Sequence, residues 1–125
     1  MPIALWCVLV AAILPMLSAL PAKMNRSYDN SRPRDPDYWR EGFRARAQWA
    51  QANGFEAFPL FAVSVFVALS QGGDPEWIDR LAILFVLLRL IYVFCYWTDR
   101  SSPRSIAWGA AFLTCVALFT SSLWS

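Results

Sequence analysis

Apolar residues along the chain gather into long runs separated by short polar segments. The runs 2–20 and 106–124 contain no charged side chain, and a third run, 81–97, is interrupted only by Arg89. Since a helix of about 20 apolar residues crosses ~30 Å of hydrocarbon, each run predicts a membrane-spanning helix. A cleaved signal peptide is the alternative for the first run, but no basic residue precedes it, as a signal requires.

A fourth apolar segment, residues 57–69, is too short to cross a bilayer alone. It crosses only if its helix begins earlier and carries several polar residues into the membrane, and the helix signals favour this. A side-chain acceptor followed by proline is typical of a helix start. The pattern occurs at Asp35-Pro36, Asp74-Pro75 and Ser102-Pro103, and the stop signal Gly72-Gly73 follows the segment.

These patterns predict an all-α membrane protein with one domain, residues 1–125. Its four spans cover residues 2–21, 36–70, 75–98 and 103–124. Residues 22–35, rich in Asn, Ser, Arg and Pro, are expected to form a mobile loop. The second helix is roughly 50 Å long at 1.5 Å per residue, so its first turns should project beyond the bilayer.

Composition agrees with a membrane protein and excludes several classes of enzyme. Of the 125 residues, 58% are apolar and 16% are charged, against about 25% charged residues in soluble domains. The mean hydropathy is +0.38. The absence of histidine excludes zinc enzymes and histidine-based catalytic triads, and the isolated cysteines predict neither a disulfide framework nor a metal site. The net charge of +2 gives no reason to expect a nucleic-acid partner.

Basic residues concentrate on one side of the predicted spans. The first loop and the start of the second helix hold Lys23, Arg26, Arg32, Arg34, Arg40, Arg44 and Arg46, and the third loop adds Arg100 and Arg104. The loop 71–76 and both termini hold none. By the positive-inside rule, loops 1 and 3 face the cytoplasm and both termini lie on the opposite side.

Polar residues also occur where the bilayer makes them costly. Glu56 and Arg89 fall near the middle of their spans, where a charge costs about 2.5–3.5 kcal/mol, and Asn53 lies one helical turn before Glu56. A buried ion pair between Glu56 and Arg89 that only locks two helices together is one explanation.

A polar pocket is the other explanation, because further polar residues share the same helix faces. Arg46, Trp49, Asn53 and Glu56 lie on one stripe of the second helix, and Arg89, Tyr92 and Tyr96 lie on one stripe of the third. Both stripes run from mid-membrane toward the same surface, and Arg104 would lie at the mouth of a pocket between them.

The same residues resemble a known family. The spacing Arg46-x6-Asn53-x2-Glu56-x2-Pro59, followed by Arg89-x2-Tyr92-x3-Tyr96 and Arg104, resembles the MAPEG family, the membrane-associated proteins in eicosanoid and glutathione metabolism. The segment 50–61, AQANGFEAFPLF, is similar to the signature of that family's second helix. The chain resembles the bacterial members of the family more closely than leukotriene C4 synthase or the microsomal glutathione transferases. The resemblance implies a four-transmembrane-helix bundle, a homotrimer, and glutathione bound between neighbouring subunits.

The resemblance also implies a role for each candidate residue. Asn53, Glu56, Tyr92 and Tyr96 would contact glutathione with Gln51 nearby, Arg104 would be the catalytic cation that stabilises the thiolate, and Arg46 and Arg89 would line the site or support it. One position departs from the pattern: Trp49 stands where many family enzymes have an arginine that holds a glutathione carboxylate, and Arg44 and Arg46 are the candidates to replace that cation. Arg104 could also be only a positive-inside anchor.

Two functions follow as expectations. The first is a glutathione-dependent transferase or peroxidase that acts on a lipophilic electrophile reaching the site through membrane lipids. The second is a non-catalytic member, either an accessory subunit of a larger membrane complex or a lipid-binding scaffold, which Trp49 and the polar stretch 23–39 favour. A small drug exporter also has four spans and one membrane glutamate, but that glutamate is usually in the first helix, which has none here.

Overall fold

The computed structural model describes all residues from Met1 to Ser125. It contains helices only: α1 (Ile3–Lys23), α2 (Gly42–Ser70), α3 (Pro75–Trp97), α4 (Ser101–Phe119) and the short α5 (Ser121–Trp124). The predicted all-α class is therefore confirmed.

Three helices are long and apolar enough to cross a membrane, namely α1, α2 and α4. The fourth long helix, α3, is not among the three; it carries Glu76, Asp79 and Arg80 near its start and Arg89 further along. Large apolar side chains such as Leu9, Phe66 and Leu113 are exposed on the outer faces of the three helices. Apolar helices with apolar outer faces are those of an integral membrane protein.

The helix end at Gly72-Gly73 and the helix start at Asp74-Pro75 lie where the sequence predicts them. The side chain of Asp74 accepts a hydrogen bond from the Glu76 backbone N–H at 3.1 Å, and Pro75 takes the first helical position. Gly72 ends α2 in the left-handed region, with φ of +79°, and the Gly73 N–H donates to the Ala68 carbonyl at 3.0 Å.

The predicted start of the second helix is wrong, and the bounds of the fourth helix differ from the predicted ones. Helix α2 begins at Gly42, not at Pro36, although the Asp35 carboxylate accepts from the Asp37 N–H at 3.1 Å as a helix cap does. Residues 36–41 form turns instead, in which Trp39 is buried in a cluster with Ala19, Ala22 and Ala47. Helix α4 begins at Ser101, without a side-chain cap, and ends at Phe119; the predicted continuation to residue 124 is the separate α5.

The segment before α2 packs against the helices, although a mobile loop was expected. Its aromatic rings Tyr28, Tyr38 and Trp39 meet edge to face, with centroids 5.1–6.3 Å apart. The Trp39 indole N–H donates to the Pro33 carbonyl at 2.9 Å, and the Tyr38 hydroxyl donates to the Ala22 carbonyl at the end of α1. Buried aromatic contacts thus hold a segment whose composition is that of a loop.

The long helices are joined at a few close contacts. Gly54 of α2 lies directly against Pro15 of α1, and the Trp97 indole N–H of α3 donates to the Ser18 carbonyl of α1 at 2.9 Å. Phe61 and Phe85 stack at the centre of the core, with centroids 3.9 Å apart. The face of α2 next to the one that packs on α1 faces α3 and α4, and most of the candidate polar residues lie there.

Candidate functional site

A cavity of about 240 Å³ lies between α2, α3 and α4 and is called the deep cavity here. Its polar lining consists of Asn53, Glu56 and Arg89, three of the candidate residues. The rest of its wall is apolar: Ala57, Leu60, Phe85, Trp108, Ala111, Phe112 and Cys115. The cavity is therefore amphipathic, with a polar end and an apolar end.

Arg89 reaches the deep cavity from within the core. The residue is 4% exposed, its guanidinium carbon lies 4.1 Å above the Tyr92 ring centroid, and its Nη2 atom is buried without a hydrogen-bond partner. A buried cation without a full set of partners is costly, so its free nitrogen marks a place for a ligand oxygen or an ordered water.

Glu56 and Arg89 do not form the buried ion pair considered from the sequence. The ion pairs of the chain are Arg32–Asp35, Arg40–Asp37 and Arg80–Glu76, all outside the site. Glu56 is exposed at the surface of the single chain, whereas the Oδ1 atom of Asn53 is buried and has no partner. The Glu56 carboxylate and the Arg89 guanidinium therefore both remain available to a ligand.

A second cavity, of about 190 Å³, adjoins the first and is called the outer cavity here. It is lined by Tyr92, Tyr96, Arg104, Ser105 and Trp108. The Tyr92 and Tyr96 rings meet edge to face at 5.3 Å, and the Arg104 guanidinium carbon lies 4.4 Å above the Tyr96 ring centroid. The structure thus brings both predicted tyrosines and the predicted catalytic cation together.

A turn after α3 produces this proximity. Asp99 adopts φ of +58°, and the Arg100 N–H donates to the Cys95 carbonyl at 2.8 Å, so the chain reverses within three residues of Trp97. Helix α4 then runs back beside α3, and Arg104 in its first turns lies over Tyr96.

Arg46 supports the outer cavity from behind. Its Nε–H donates to the backbone carbonyl of Tyr96 at 3.0 Å, and the same carbonyl accepts from the Asp99 N–H at 3.2 Å. Arg46 is not among the residues that line either cavity. Arg46 therefore supports Tyr96 through the hydrogen bond to its backbone carbonyl.

The two arginines suggested as substitutes at Trp49 each make a contact outside the two cavities. Arg46 is bound to Tyr96, and Arg44 donates from Nη2 to the Ser27 hydroxyl at 2.7 Å while stacking on Tyr38. Trp49 itself is 52% exposed, with its ring centroid 6.3 Å from that of Tyr96. The site in one chain therefore has an aromatic side chain where a cation was expected.

Gln51 lies apart from the other candidates. It lines a groove on the α1 side of α2, together with Gln48 and residues of the loop before α2. At 100° per residue, Gln51 and Asn53 point in nearly opposite directions from the helix axis. Within one chain, Gln51 and Asn53 cannot contact the same small ligand.

Trp108 is the site residue that sequence reasoning missed. It lines both cavities and so lies between them, and its ring stacks on Phe112 with centroids 5.8 Å apart. The available signal was its position four residues after Arg104, because residues i and i+4 share a helix face.

The arrangement suits an amphiphile or two adjoining ligands. Glu56 offers a carboxylate for an ammonium group, the tyrosine hydroxyls offer hydrogen bonds, and Arg104 offers a cation to an anion in the outer cavity. The apolar wall of the deep cavity offers a surface to a hydrocarbon group.

A comparison with curated proteins gives no match to this chain. A comparison with family models matches the MAPEG family over residues 3–124, nearly the whole chain. The matched region contains all four long helices and every residue of the two cavities. The chain therefore belongs to the MAPEG family.

Proposed function

We propose that this protein is a glutathione-dependent transferase or peroxidase that acts on a lipophilic electrophile. One observation carries the proposal: the deep and outer cavities adjoin at Trp108, so that Glu56 and Asn53 lie in one and Arg104 with its tyrosines in the other. Glutathione has an ammonium group, carboxylates, amides and a thiol, and these polar groups match that set of side chains.

In this proposal, Arg104 binds the thiol of glutathione and stabilises its thiolate. A free thiol titrates near ~8.5, and an adjacent cation lowers that value and so raises the thiolate fraction at neutral pH. In a transferase the thiolate sulfur forms a bond to an electrophilic carbon, and the leaving group or conjugated acceptor takes the electron pair. Tyr96, under the guanidinium, holds Arg104 over the outer cavity by a cation–π contact.

The electrophile is assigned to the apolar part of the deep cavity. Leu60, Trp108 and Phe112 line it and are themselves exposed on the outer surface of the chain. Hydrocarbon dissolved in a bilayer would reach this wall without passing through water. The assignment accounts for an apolar wall in the deep cavity next to the cavity that holds Arg104.

The proposal includes a homotrimer in which each subunit is a four-transmembrane-helix bundle, with α3 as the fourth span. Glu56 is exposed on the isolated chain at a depth where a charge facing lipid costs about 2.5–3.5 kcal/mol. A neighbouring subunit covering Glu56 would remove that contact with lipid. The basic residues flanking α2 and α4 support an orientation with loops 1 and 3 in the cytoplasm and both termini outside.

Thermal unfolding with glutathione tests the proposal. Glutathione in excess should stabilise the purified protein by mass action, by about 2.7 kcal/mol at 100 times Kd. The Glu56→Gln variant should lose most of the stabilisation, and Arg104→Gln should keep it but lose the ultraviolet thiolate band of the bound ligand. No stabilisation of the unsubstituted protein at millimolar glutathione would contradict the proposal.

A second candidate is a non-catalytic accessory subunit or lipid-binding member, and Trp49 favours it. Arg44 and Arg46 contact Ser27 and Tyr96 and line neither cavity, so neither occupies the place of the arginine that Trp49 replaces. Purification in mild detergent distinguishes the two candidates. A stoichiometric partner protein without thiol-transfer activity would support the second, and a homotrimer that conjugates glutathione would support the first.

A further inference from the structure

We infer that one ordered water lies in the core of the bundle and joins the Ala11 carbonyl of α1 to the Arg89 guanidinium of α3. A small cavity between α1, α2 and α3, called the core cavity here, holds this site, and its lining includes Ala11, Pro15, Gly54, Phe85 and Arg89. The volume open to a water-sized sphere is about 10 Å³, and a buried water needs about 10–15 Å³. The core cavity therefore has room for one water and for no larger ligand.

The acceptor of the site is a backbone carbonyl that Pro15 deprives of its helical donor. In a regular helix the N–H of residue 15 donates to the carbonyl of residue 11, and proline has no N–H. Two later carbonyls of α1 receive side-chain donors, since that of Pro15 accepts from the Ser18 hydroxyl at 2.6 Å and that of Ser18 from the Trp97 indole at 2.9 Å. Ala11 is buried and its carbonyl has no side-chain donor. In membrane helices, ordered water is one of the groups that satisfy a carbonyl freed by proline.

The donor of the site is the one charged side chain that lines the core cavity. Arg89 is 4% exposed, and its Nη2 atom is buried without a hydrogen-bond partner. A guanidinium has five N–H donors and no acceptor, so its partner must supply a lone pair. A water molecule accepts from the guanidinium through its oxygen and donates a hydrogen to the carbonyl. The other N–H groups of Arg89 then remain for the deep cavity.

Two contacts between α1 and α3 place these groups at the same depth in the bundle. A backbone N–H in the first turn of α1 donates to Asp79 at 2.9 Å, and a carbonyl in its last two turns accepts from Trp97 at 2.9 Å. The two helices therefore run side by side in the same direction. Ala11 is halfway between the two contacting residues of α1, and Arg89 is within one residue of halfway between Asp79 and Trp97. The carbonyl and the guanidinium thus face one cavity near the middle of the bundle, where an unpaired polar group is costly.

Other small occupants match only one side of the core cavity. A chloride ion would be attracted by Arg89 but repelled by the carbonyl oxygen of Ala11. A metal cation would be attracted by that oxygen but repelled by the guanidinium. Water is both a donor and an acceptor, and a buried water makes two to four hydrogen bonds. It is therefore the occupant that satisfies both groups at once.

Water-edited solid-state NMR tests the inference directly. The whole chain is labelled with ¹³C at its alanine carbonyls and reconstituted in deuterated lipid. Magnetisation that starts on water should reach the Ala11 carbonyl, whereas the carbonyl of Ala82, which is 0% exposed within α3, should receive none. Arg89→Met should abolish the Ala11 signal, because the water then keeps only one partner. A dry Ala11 carbonyl, or an unchanged signal in the Arg89→Met variant, would overturn the inference.

A double-mutant cycle tests whether the carbonyl and the guanidinium depend on each other. Pro15→Ala returns an N–H to the Ala11 carbonyl and so removes the acceptor of the water, while Arg89→Met removes the donor. Because the restored N–H then satisfies the carbonyl that Arg89→Met leaves unpaired, the double variant should raise the unfolding constant about tenfold less than the product of the single effects. The packing of the Pro15 ring against Gly54 is lost with or without Arg89, so it cancels in the cycle.

Pro21→Ala is the matched control, because Pro21 is the other proline within α1 and does not line the core cavity. Its effect and that of Arg89→Met should multiply without coupling. Independent effects of Pro15→Ala and Arg89→Met, or equal coupling in the Pro21 pair, would contradict the bridging water. All of these measurements are made without glutathione, so their outcome does not depend on the proposed function.

Discussion

Arg46 joins the first turns of α2 to the last turn of α3. Its Nε–H donates to the Tyr96 carbonyl at 3.0 Å, and a hydrogen bond from a charged group contributes about 1.5–3 kcal/mol. We expect Arg46→Gln to lower the free energy of unfolding by about that amount, measured by reversible unfolding in mixed micelles. Arg40→Gln is the control, because the Arg40 side chain is 72% exposed and its loss should cost under about 0.5 kcal/mol. Equal effects would contradict the support assigned to Arg46.

Asp79 of α3 makes a second contact of this kind, at the start of α1. Its Oδ1 atom accepts from the Ala4 backbone N–H at 2.9 Å, so α3 supplies the cap that α1 lacks in its own sequence. We expect Asp79→Ala to cost about 1 kcal/mol of stability, and Asp79→Asn to cost less because the amide keeps an acceptor. Chemical unfolding of both variants measures the difference, and a larger loss in the asparagine variant would contradict the cap.

At the scale of the helices, the contact between α1 and α2 depends on the absence of a side chain at Gly54. A Cβ atom there would lie 2.7 Å from Cγ of Pro15 and 3.0 Å from its Cβ, and a change of ring pucker moves Cγ but leaves the Cβ contact. We expect Gly54→Ala to destabilise the protein by about 1–3 kcal/mol through overpacking, measured by thermal unfolding. Gly109→Ala is the matched control, since a Cβ at that helical position meets nothing within 4 Å and alanine should stabilise by up to about 1 kcal/mol.

Helix ends show how far the sequence alone could predict this fold. The α2–α3 turn was predictable because Asp74, Pro75 and Gly72 act within their own local segment. The start of α2 was not, since Asp35 and Pro36 match a helix start equally well but the buried Trp39 and a local turn hold residues 36–41 in another conformation. A local pattern does not specify which of two local structures the tertiary contacts will favour.

In the candidate site, too, contacts within one helix could be predicted from the sequence and contacts between helices could not. Helical periodicity was enough to place Asn53 with Glu56, and Tyr92 with Tyr96, because each pair lies within one helix. The approach of Arg104 to Tyr96 depends on the left-handed conformation of Asp99, and the contact of Arg46 with Tyr96 joins two helices. The separation of Gln51 from Asn53 was already present in the helical angles, but the resemblance to the family placed them near one ligand.

At the scale of the whole molecule, substitutions of Glu56 show whether lipid or a neighbouring subunit covers the outer face of α2. If it faces lipid, replacing it by leucine removes a costly charge from the bilayer and should stabilise the protein. If it faces a neighbouring subunit, as proposed, Glu56→Leu removes a polar contact between subunits and should shift the protein toward smaller species. We expect the second result, seen as a lower trimer fraction in native mass spectrometry and a lower detergent concentration at dissociation. Glu56→Gln, which keeps a polar side chain, should dissociate less readily than the leucine variant, and a more stable leucine variant would refute the buried interface.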